Sequence, residues 1–185
     1  MGYVYIYYGT GAGKTTSALG LALRSIGQGR KVVIVQFLKW WKDTGEYKIT
    51  GRLKPDYEVR QFGRPGWICR NAGRGEVNEG GVVLKVRGIE EADREMARKG
   101  LEFAGQKLAE KPGLLVLDEI CLAAHMGILA VEDVLGLIRD LPAETDVVMT
   151  GRFAPIELME RADFVNEIVP RKFPGKLVTK RGNQY

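Results

Sequence analysis

The sequence has few of the side chains from which metal clusters and disulfide frameworks are built. Its 185 residues include one histidine, His125, and two cysteines, Cys69 and Cys121, which lack the paired spacing of zinc ligands. A lone histidine gives little support for a nucleophile–base–acid triad, and we expect His125 to be an ordinary surface or core imidazole. The isolated cysteines indicate reduced thiols, which are typical of a cytoplasmic protein.

Long apolar stretches are scarce as well. No run in the sequence approaches the roughly 20 apolar residues that a membrane-spanning helix requires. A strand-like pattern begins within the first few residues, so we also expect no signal peptide. The chain is 45% hydrophobic, which is enough for one core, and we predict a single domain over residues 1–185.

Positive charge exceeds negative charge. The chain has 28 lysines and arginines against 23 acidic residues, for a net charge of +5. This balance favours an anionic ligand such as ATP and also suits nucleic acid. Part of the excess gathers near the end of the chain, as either a solvated tail or an anion-contacting lid, at Arg171, Lys172, Lys176, Lys180 and Arg181.

Apolar runs rich in β-branched residues alternate with amphipathic segments. Runs that are apolar throughout are typical of strands covered on both faces, and strand–helix alternation favours a parallel sheet. We therefore predict a three-layer α/β fold, with a mostly parallel central sheet and helices on both of its faces. The predicted strands are 3–8, 31–37, 57–62, 114–118, 146–150 and 164–169, and the predicted helices are 14–26, 44–53, 89–109, 131–139 and 155–161.

One segment interrupts this alternation. Residues 63–87 include six glycines and little helical periodicity, apart from one short strand predicted at 82–86. Long structureless segments inside a compact domain are usually functional or disordered. We therefore expect an irregular loop here.

The most informative motif lies between the first predicted strand and the first predicted helix. There the chain reads Gly-Thr-Gly-Ala-Gly-Lys-Thr-Thr, and such a loop surrounds phosphate with backbone N–H groups and the positive end of the helix dipole. In these loops the lysine, here Lys14, reaches the outer phosphates, and the Thr15 hydroxyl binds Mg²⁺. The alternative, a tight turn without a ligand, fits the strand–loop–helix context poorly. We predict a RecA-like P-loop NTPase fold in which ATP contacts Gly9, Thr10, Gly11, Ala12, Gly13, Lys14, Thr15 and Thr16.

Two adjacent acids follow a later buried strand. Asp118 ends the predicted strand 114–118, and Glu119 follows it directly. The carboxyl ends of parallel strands share the sheet edge that carries the phosphate loop, where a magnesium-binding acid belongs. Together with Thr15, these two acids are the predicted metal ligands.

Further polar and aromatic residues are expected at the same edge. Arg152 follows the strand 146–150 and either binds phosphate oxygens or forms a surface salt bridge. Gln36 lies near the end of the strand 31–37, and Lys39 follows in the loop. The tryptophans after Lys39, at positions 40 and 41, either cover the core or line a flat ligand.

Taken in order, these pieces resemble the P-loop ATP:corrinoid adenosyltransferases, the CobA/BtuR/CobO family, over most of the chain. The order and spacing of the motifs are more specific than any one of them. The resemblance is carried by Gly9–Thr16 without a leading glycine, by Ala18–Arg24 with Gly27 and Gly29, and by Gln36–Lys39, Thr44–Glu46, Leu117–Glu119, Thr150–Arg152 and Ala162–Asp163.

The resemblance implies a reaction. Cobalt(I) of a reduced corrinoid attacks the 5′ carbon of ATP, forms a cobalt–carbon bond and releases triphosphate. Such a nucleophile needs no general base, which agrees with the single histidine. Lys14 and Arg152 are then the catalytic residues that neutralise the leaving triphosphate. The family also implies Mg²⁺ or Mn²⁺, a reductase that supplies cobalt(I), and a homodimer.

The resemblance also implies which residues contact the metal ion and which contact the corrinoid. Glu119 is implied as the preferred metal ligand of the acid pair. Trp67 and, less directly, Phe62 fall near the aromatic segment that in relatives closes on the lower face of the corrin ring. We therefore expect both aromatic residues to contact the corrinoid.

Two other classes share the phosphate loop. A RecA-like ATPase or nucleic-acid-binding module would suit the basic charge, and a small-molecule kinase would suit the loop. The sequence offers no evident base-stacking stripe for the former and no dedicated acceptor-binding element for the latter. Products distinguish the three classes, because adenosyl transfer releases triphosphate, whereas ATPases and most kinases release ADP.

Overall fold

The computed structural model describes residues 2–69, 75–79 and 82–172. The basic cluster predicted near the end of the chain therefore lies partly outside the described residues, since Lys176, Lys180 and Arg181 fall beyond residue 172. Within the described ranges, no helix has both the length and the apolar character that crossing a membrane requires.

A six-stranded sheet forms the centre of the molecule. The strands in chain order are β1 (Val4–Tyr8), β2 (Val32–Phe37), β3 (Tyr57–Phe62), β4 (Trp67–Ile68), β5 (Gly75–Glu79), β6 (Val82–Arg87), β7 (Leu114–Asp118), β8 (Asp146–Gly151) and β9 (Phe164–Glu167). The central sheet has the order β3-β2-β7-β8-β1-β9, and all of its neighbouring strands are parallel. The first strand thus lies between the last two, and the predicted parallel sheet is confirmed.

Helices cover both faces of this sheet. They are α1 (Lys14–Gly27), α2 (Gly45–Lys48), α3 (Thr50–Leu53), α4 (Glu91–Ala109), α5 (Ile120–His125), α6 (Val131–Leu137) and α7 (Ile156–Arg161). Successive side chains of β2 belong to different hydrophobic clusters, Ile34 to one and Val35 to the other. Ala18 of α1 packs in the first cluster and Ala97 of α4 in the second. Because neighbouring strand residues point to opposite faces, α1 and α4 lie on opposite sides of the sheet.

The structure differs most from the prediction between residues 63 and 87. Where we expected an irregular loop, β4, β5 and β6 form a three-stranded sheet in the order β4-β6-β5. The strand predicted at 82–86 is β6, but the other two were missed. β4 has only two residues and β5 is mostly polar, so neither has the apolar pattern by which a strand is recognised in a sequence. β5 is a strand because it pairs with β6 in the antiparallel direction.

Short helices account for the other differences. The predicted helix 44–53 is two four-residue helices, α2 and α3, and α5 was not predicted. Six residues span less than two helical turns, which is too short for a helical period to be recognised. Some ends are shorter than predicted, since α6 ends at Leu137 and β9 at Glu167.

A buried ion pair fastens the small sheet to α4. Arg87, the last residue of β6, donates to both carboxylate oxygens of Asp93 at 2.5 and 2.8 Å. Asp93 also accepts the backbone N–H of Glu90 at 2.9 Å and so helps to cap α4. Both partners of the ion pair are buried, so this contact fixes the position of the small sheet relative to the central one.

Candidate active site

Residues 9–13 connect β1 to α1 through backbone conformations that favour glycine. Gly9 and Gly13 adopt φ angles of 113° and 114°. The N–H of Gly11 donates to the carbonyl of Ile168 at 2.8 Å, and a Cβ at Gly11 would lie 2.8 Å from the same oxygen. The glycines of the motif are therefore required by local geometry as well as by phosphate binding.

The loop ends at the N-terminus of α1. Gly13 is the N-cap residue and has no side chain with which to cap the helix. The first N–H groups of a helix lack intrahelical partners, so this terminus can bind an anion. Nζ of Lys14 donates to the carbonyl of Gly11 at 2.7 Å and thus folds across the loop. Burial lowers the pKa of Lys14, although the nearby Glu119 acts in the opposite direction.

Asp118 is the centre of a hydrogen-bond network at the end of β7. Its Oδ1 accepts hydrogen bonds from the hydroxyls of Thr15 at 2.9 Å and Thr150 at 2.6 Å. Its Oδ2 accepts hydrogen bonds from Nε2 of Gln36 at 3.0 Å and from Nζ of Lys39 at 2.6 Å. The donors come from α1, β8, β2 and the loop after β2, which meet because the strands end at one edge of the sheet.

The charge of Asp118 is stabilised in a buried position. The side chain is screened from solvent, and burial alone acts to raise its pKa. The Lys39 ammonium and the two hydroxyl donors outweigh burial and hold the pKa of Asp118 below its usual value. The pKa of Lys39 is correspondingly raised, because attraction to Asp118 outweighs its own burial. The two groups therefore form an ion pair.

Glu119 differs from its neighbour in backbone conformation and in the direction of its pKa shift. Its φ angle of 63° lies in the left-handed region, which residues other than glycine seldom adopt, and its N–H donates to the Thr150 hydroxyl at 2.9 Å. Its Oε2 is buried and has no hydrogen-bond partner among the described residues. Burial, and then the charge of Asp118, raise the pKa of Glu119. A buried carboxylate oxygen without a partner, beside Asp118 and Thr15, matches the oxygen ligands that Mg²⁺ prefers.

Arg152 reaches the loop through its backbone. Its carbonyl accepts the N–H of Gly9 at 3.1 Å, while its side chain is exposed. Arg152 and Thr10 line a cavity of about 250 Å³ beside the phosphate loop. The rings of His125 and Phe153, which stack at 4.7 Å between centroids, line the same cavity. The sequence predicted no place in the site for either aromatic residue.

Lys39 was expected in the loop at this sheet edge, but the sequence predicted no contact or role for it in the site. Gln36 was predicted at the correct sheet edge, because a polar residue in an otherwise apolar strand is a usable signal. Lys39 has no such signal, because it lies two residues beyond the apolar strand. The direction of its side chain depends on the backbone conformation between Gln36 and Lys39.

The two predicted corrinoid contacts have different environments. Trp67 is 57% exposed, and its ring meets the edge of Trp40 at a centroid distance of 6.1 Å. Phe62 is partly buried against the core and packs on Phe103 at 5.6 Å. Trp67 therefore presents a free aromatic surface, whereas Phe62 lies at the margin of the core.

A glycine-rich loop that opens a helix, a buried acid bonded to the loop threonine, and a parallel α/β sheet define a P-loop nucleotide-binding protein. Comparison with protein families is more specific, because the family described as ATP:corrinoid adenosyltransferase BtuR/CobO/CobP matches residues 1–182. The chain belongs to this family of transferases.

Individual relatives agree with the family match. A corrinoid adenosyltransferase of Pseudomonas aeruginosa is 31% identical over 187 residues, which cover 100% of this chain and 84% of the relative. Those of Escherichia coli strain K12 and Salmonella typhimurium are 28% and 27% identical over 172 residues, covering 92% of this chain and 78% of each relative.

Proposed function

We propose that the protein transfers the 5′-deoxyadenosyl group of ATP to cobalt(I) of a corrinoid and releases triphosphate. The observation that carries the proposal is the contact between Thr15 of the phosphate loop and Asp118, beside the unpartnered carboxylate oxygen of Glu119, in a chain of this family. The proposal treats residues 1–185 as one domain, which the extent of the family match supports.

The proposed catalytic residues act on the leaving group. The reduced cobalt is itself the nucleophile, so the protein must align it with the 5′ carbon and stabilise the triphosphate that departs. Lys14 and the N-terminus of α1 supply positive charge and N–H donors to the phosphates. Arg152, held beside Gly9 by its own carbonyl, adds a guanidinium that suits phosphate oxygens.

The proposed metal site is formed by Thr15, Asp118 and Glu119. These side chains would hold Mg²⁺ or Mn²⁺ through oxygen atoms, and the unpartnered Oε2 of Glu119 supports this choice. A bound divalent ion would neutralise negative charge on the phosphates. Gln36 and Thr150 would keep the carboxylate of Asp118 oriented through their hydrogen bonds.

The remaining partners follow from the family. We propose the exposed ring of Trp67 as a contact for the corrin face, with Phe62 contributing from the margin of the core. The exposed free thiol of Cys69 supports a reducing, cytoplasmic location. The homodimer and the reductase that supplies cobalt(I) remain predictions.

Anaerobic incubation with ATP, Mg²⁺ and chemically reduced corrinoid tests the proposed function. We expect a light-sensitive alkyl-cobalt absorption spectrum, together with triphosphate in an amount equal to the adenosyl group transferred. A matched reaction without corrinoid should form no triphosphate. Release of ADP without an alkyl-cobalt product would contradict the proposal and favour an ATPase or a kinase.

A further inference from the structure

One lysine ammonium contacts two of the proposed metal ligands. Nζ of Lys39 lies 2.6 Å from Oδ2 of Asp118 and 3.3 Å from the hydroxyl oxygen of Thr15. The Asp118 side chain is 1% exposed, so its charge requires a cation within the protein. In this structure the cation is Lys39.

The backbone that carries Lys39 is held in an unusual conformation. Leu38 adopts a φ angle of 61°, which is uncommon for leucine, and its N–H donates to the carbonyl of Phe62 at 3.0 Å. Gly63 passes directly beside this turn, where a Cβ would lie 2.4 Å from the carbonyl carbon of Leu38 and the nitrogen of Lys39. Such conformations persist only where the surrounding structure imposes them. The approach of Lys39 to Asp118 is therefore built into the fold.

Charge balance limits what can bind beside Asp118. With Lys39 in contact, the carboxylate is already neutralised, and a divalent ion on the same group would lie within a few ångströms of the ammonium. Repulsion between cations at such distances is strong away from bulk water. The neutral donors Gln36 and Thr150 present no such conflict. Lys39 is thus the donor that a metal ion must compete with.

We propose that Lys39 is the resident cation of the metal site, and that a divalent ion binds to Thr15 and Asp118 by displacing its ammonium. This inference rests on the metal site of the proposed function. It assigns Lys39 a positioning role, in which it keeps the acid ordered and charge-balanced until the metal enters.

Binding of Mn²⁺ to the nucleotide-free protein tests this proposal without reference to catalysis. Free Mn²⁺ is measured by electron paramagnetic resonance during a titration. Lys39→Met keeps the apolar stem of the side chain and removes the charge. We expect its dissociation constant for Mn²⁺ to fall about tenfold or more relative to wild type, because the internal competitor is gone.

Two control variants separate competition from general effects of charge. Lys42→Met removes the same charge from the same loop, where Nζ of Lys42 lies 5.9 Å from the centre of the Tyr47 ring, and its Mn²⁺ affinity should stay close to wild type. Adding Asp118→Asn to Lys39→Met should abolish the gain in affinity. Equal or weaker Mn²⁺ binding by Lys39→Met would overturn the inference while leaving a metal site that depends on Asp118. Binding that is insensitive to Asp118→Asn would overturn the proposed metal site as well.

A measurement on the wild-type protein avoids any folding defect of the variants. Acetylation of individual lysines by a water-soluble ester is followed by mass spectrometry, in EDTA and in saturating Mn²⁺. We expect Mn²⁺ to speed the labelling of Lys39 severalfold, because its ammonium leaves Asp118, while Lys42 serves as the internal reference. Unchanged labelling of Lys39 would contradict displacement.

Discussion

At the scale of single residues, two adjacent acids have pKa values shifted in opposite directions because their partners differ. The pKa of Asp118 lies below its usual value because Lys39 and two hydroxyls outweigh burial, whereas burial and the neighbouring charge raise the pKa of Glu119. Neighbouring carboxyl groups whose pKa values are driven apart are characteristic of functional sites. This pair adds a physical reason to place the chemistry at the end of β7.

Lys14 is expected to be essential for turnover. Lys14→Ala removes a cation beside the departing triphosphate, and we expect kcat to fall about 100-fold or more, as when other transition-state donors are removed. Triphosphate release with pre-reduced corrinoid measures the effect. Lys42→Ala, an exposed lysine in the loop after β2, serves as the control. Turnover near the wild-type rate in Lys14→Ala would remove Lys14 from the proposed catalytic residues.

Residues in the sequence motifs were predictable, and those placed by loop geometry were not. The hydrogen bond between Thr15 and Asp118 agrees with the predicted meeting of the phosphate loop and the acidic strand end. Lys39 depends on the left-handed turn at Leu38 and on the close approach of Gly63, which are tertiary effects. The unpartnered oxygen of Glu119 likewise becomes visible only once burial is known.

At the scale of elements, the Arg87–Asp93 pair should be a major source of stability for the small sheet. Asp93→Asn leaves a buried guanidinium without its counter-charge, and we expect a loss of about 3 kcal/mol in the free energy of unfolding, measured with urea. Glu91→Gln, at an exposed position of the same helix, should cost less than about 0.5 kcal/mol. Similar losses in the two variants would contradict the special role of the buried pair.

The same pair predicts a pH dependence. Arg87 lowers the pKa of Asp93, although burial acts to raise it. The stabilisation is therefore complete above the ordinary aspartate pKa of about 3.9 and is lost as the pH falls through the lowered value in the folded state. The difference in unfolding free energy between wild type and Asp93→Asn should shrink in that acidic range, and a difference that stays constant with pH would contradict the assignment.

The turn that carries Lys39 packs against Gly63 so closely that we expect it to tolerate no side chain at position 63. Gly63→Ala places a methyl group against the backbone of Leu38 and Lys39, so we expect a lower melting temperature. Because the turn would then hold Lys39 less firmly against Asp118, we also expect tighter binding of Mn²⁺. Gly20→Ala serves as the control, since a Cβ there meets open space on the exposed side of α1 and should stabilise the helix by about 1 kcal/mol. Circular dichroism melts and Mn²⁺ titrations measure both effects.

Strands and helices with a strong apolar pattern were predicted, and those with a weak apolar pattern were missed. All six residues of β2 are buried, as its uninterrupted apolar run indicated. The small sheet was taken for a loop because its strands are short or polar and depend on their partners for order. The six-residue α5 begins directly after the left-handed Glu119, which no periodicity signals.

At the scale of the whole molecule, the small sheet lies against the loop that leads away from the metal site. The edge contact between Trp67 and Trp40 joins the two. We expect Trp67→Ala to leave ATP affinity unchanged and to slow adenosylation severalfold when cobalt(II) is reduced in situ, because the aromatic face that excludes a lower ligand is lost. Chemically pre-reduced cobalt(I) should restore most of the rate.

A control distinguishes this role from a general loss of surface aromatics. Phe164→Ala changes an exposed ring on β9, at the other end of the sheet, and should alter neither assay. Equal loss by Trp67→Ala with cobalt(I) and with cobalt(II) would argue against a face-closing role.

The position of β1 between β8 and β9 has a consequence for biosynthesis. Among the described residues β1 pairs with β8 and β9, which are synthesised well after it, and Ile168 fastens the phosphate loop through backbone hydrogen bonds to Tyr8 and Gly11. A nascent chain that has not yet reached residue 168 therefore carries the complete nucleotide-binding motif without the neighbours that shape it. ATP can therefore assist folding only after β8 and β9 have been translated, so the phosphate loop is synthesised long before it becomes competent to bind.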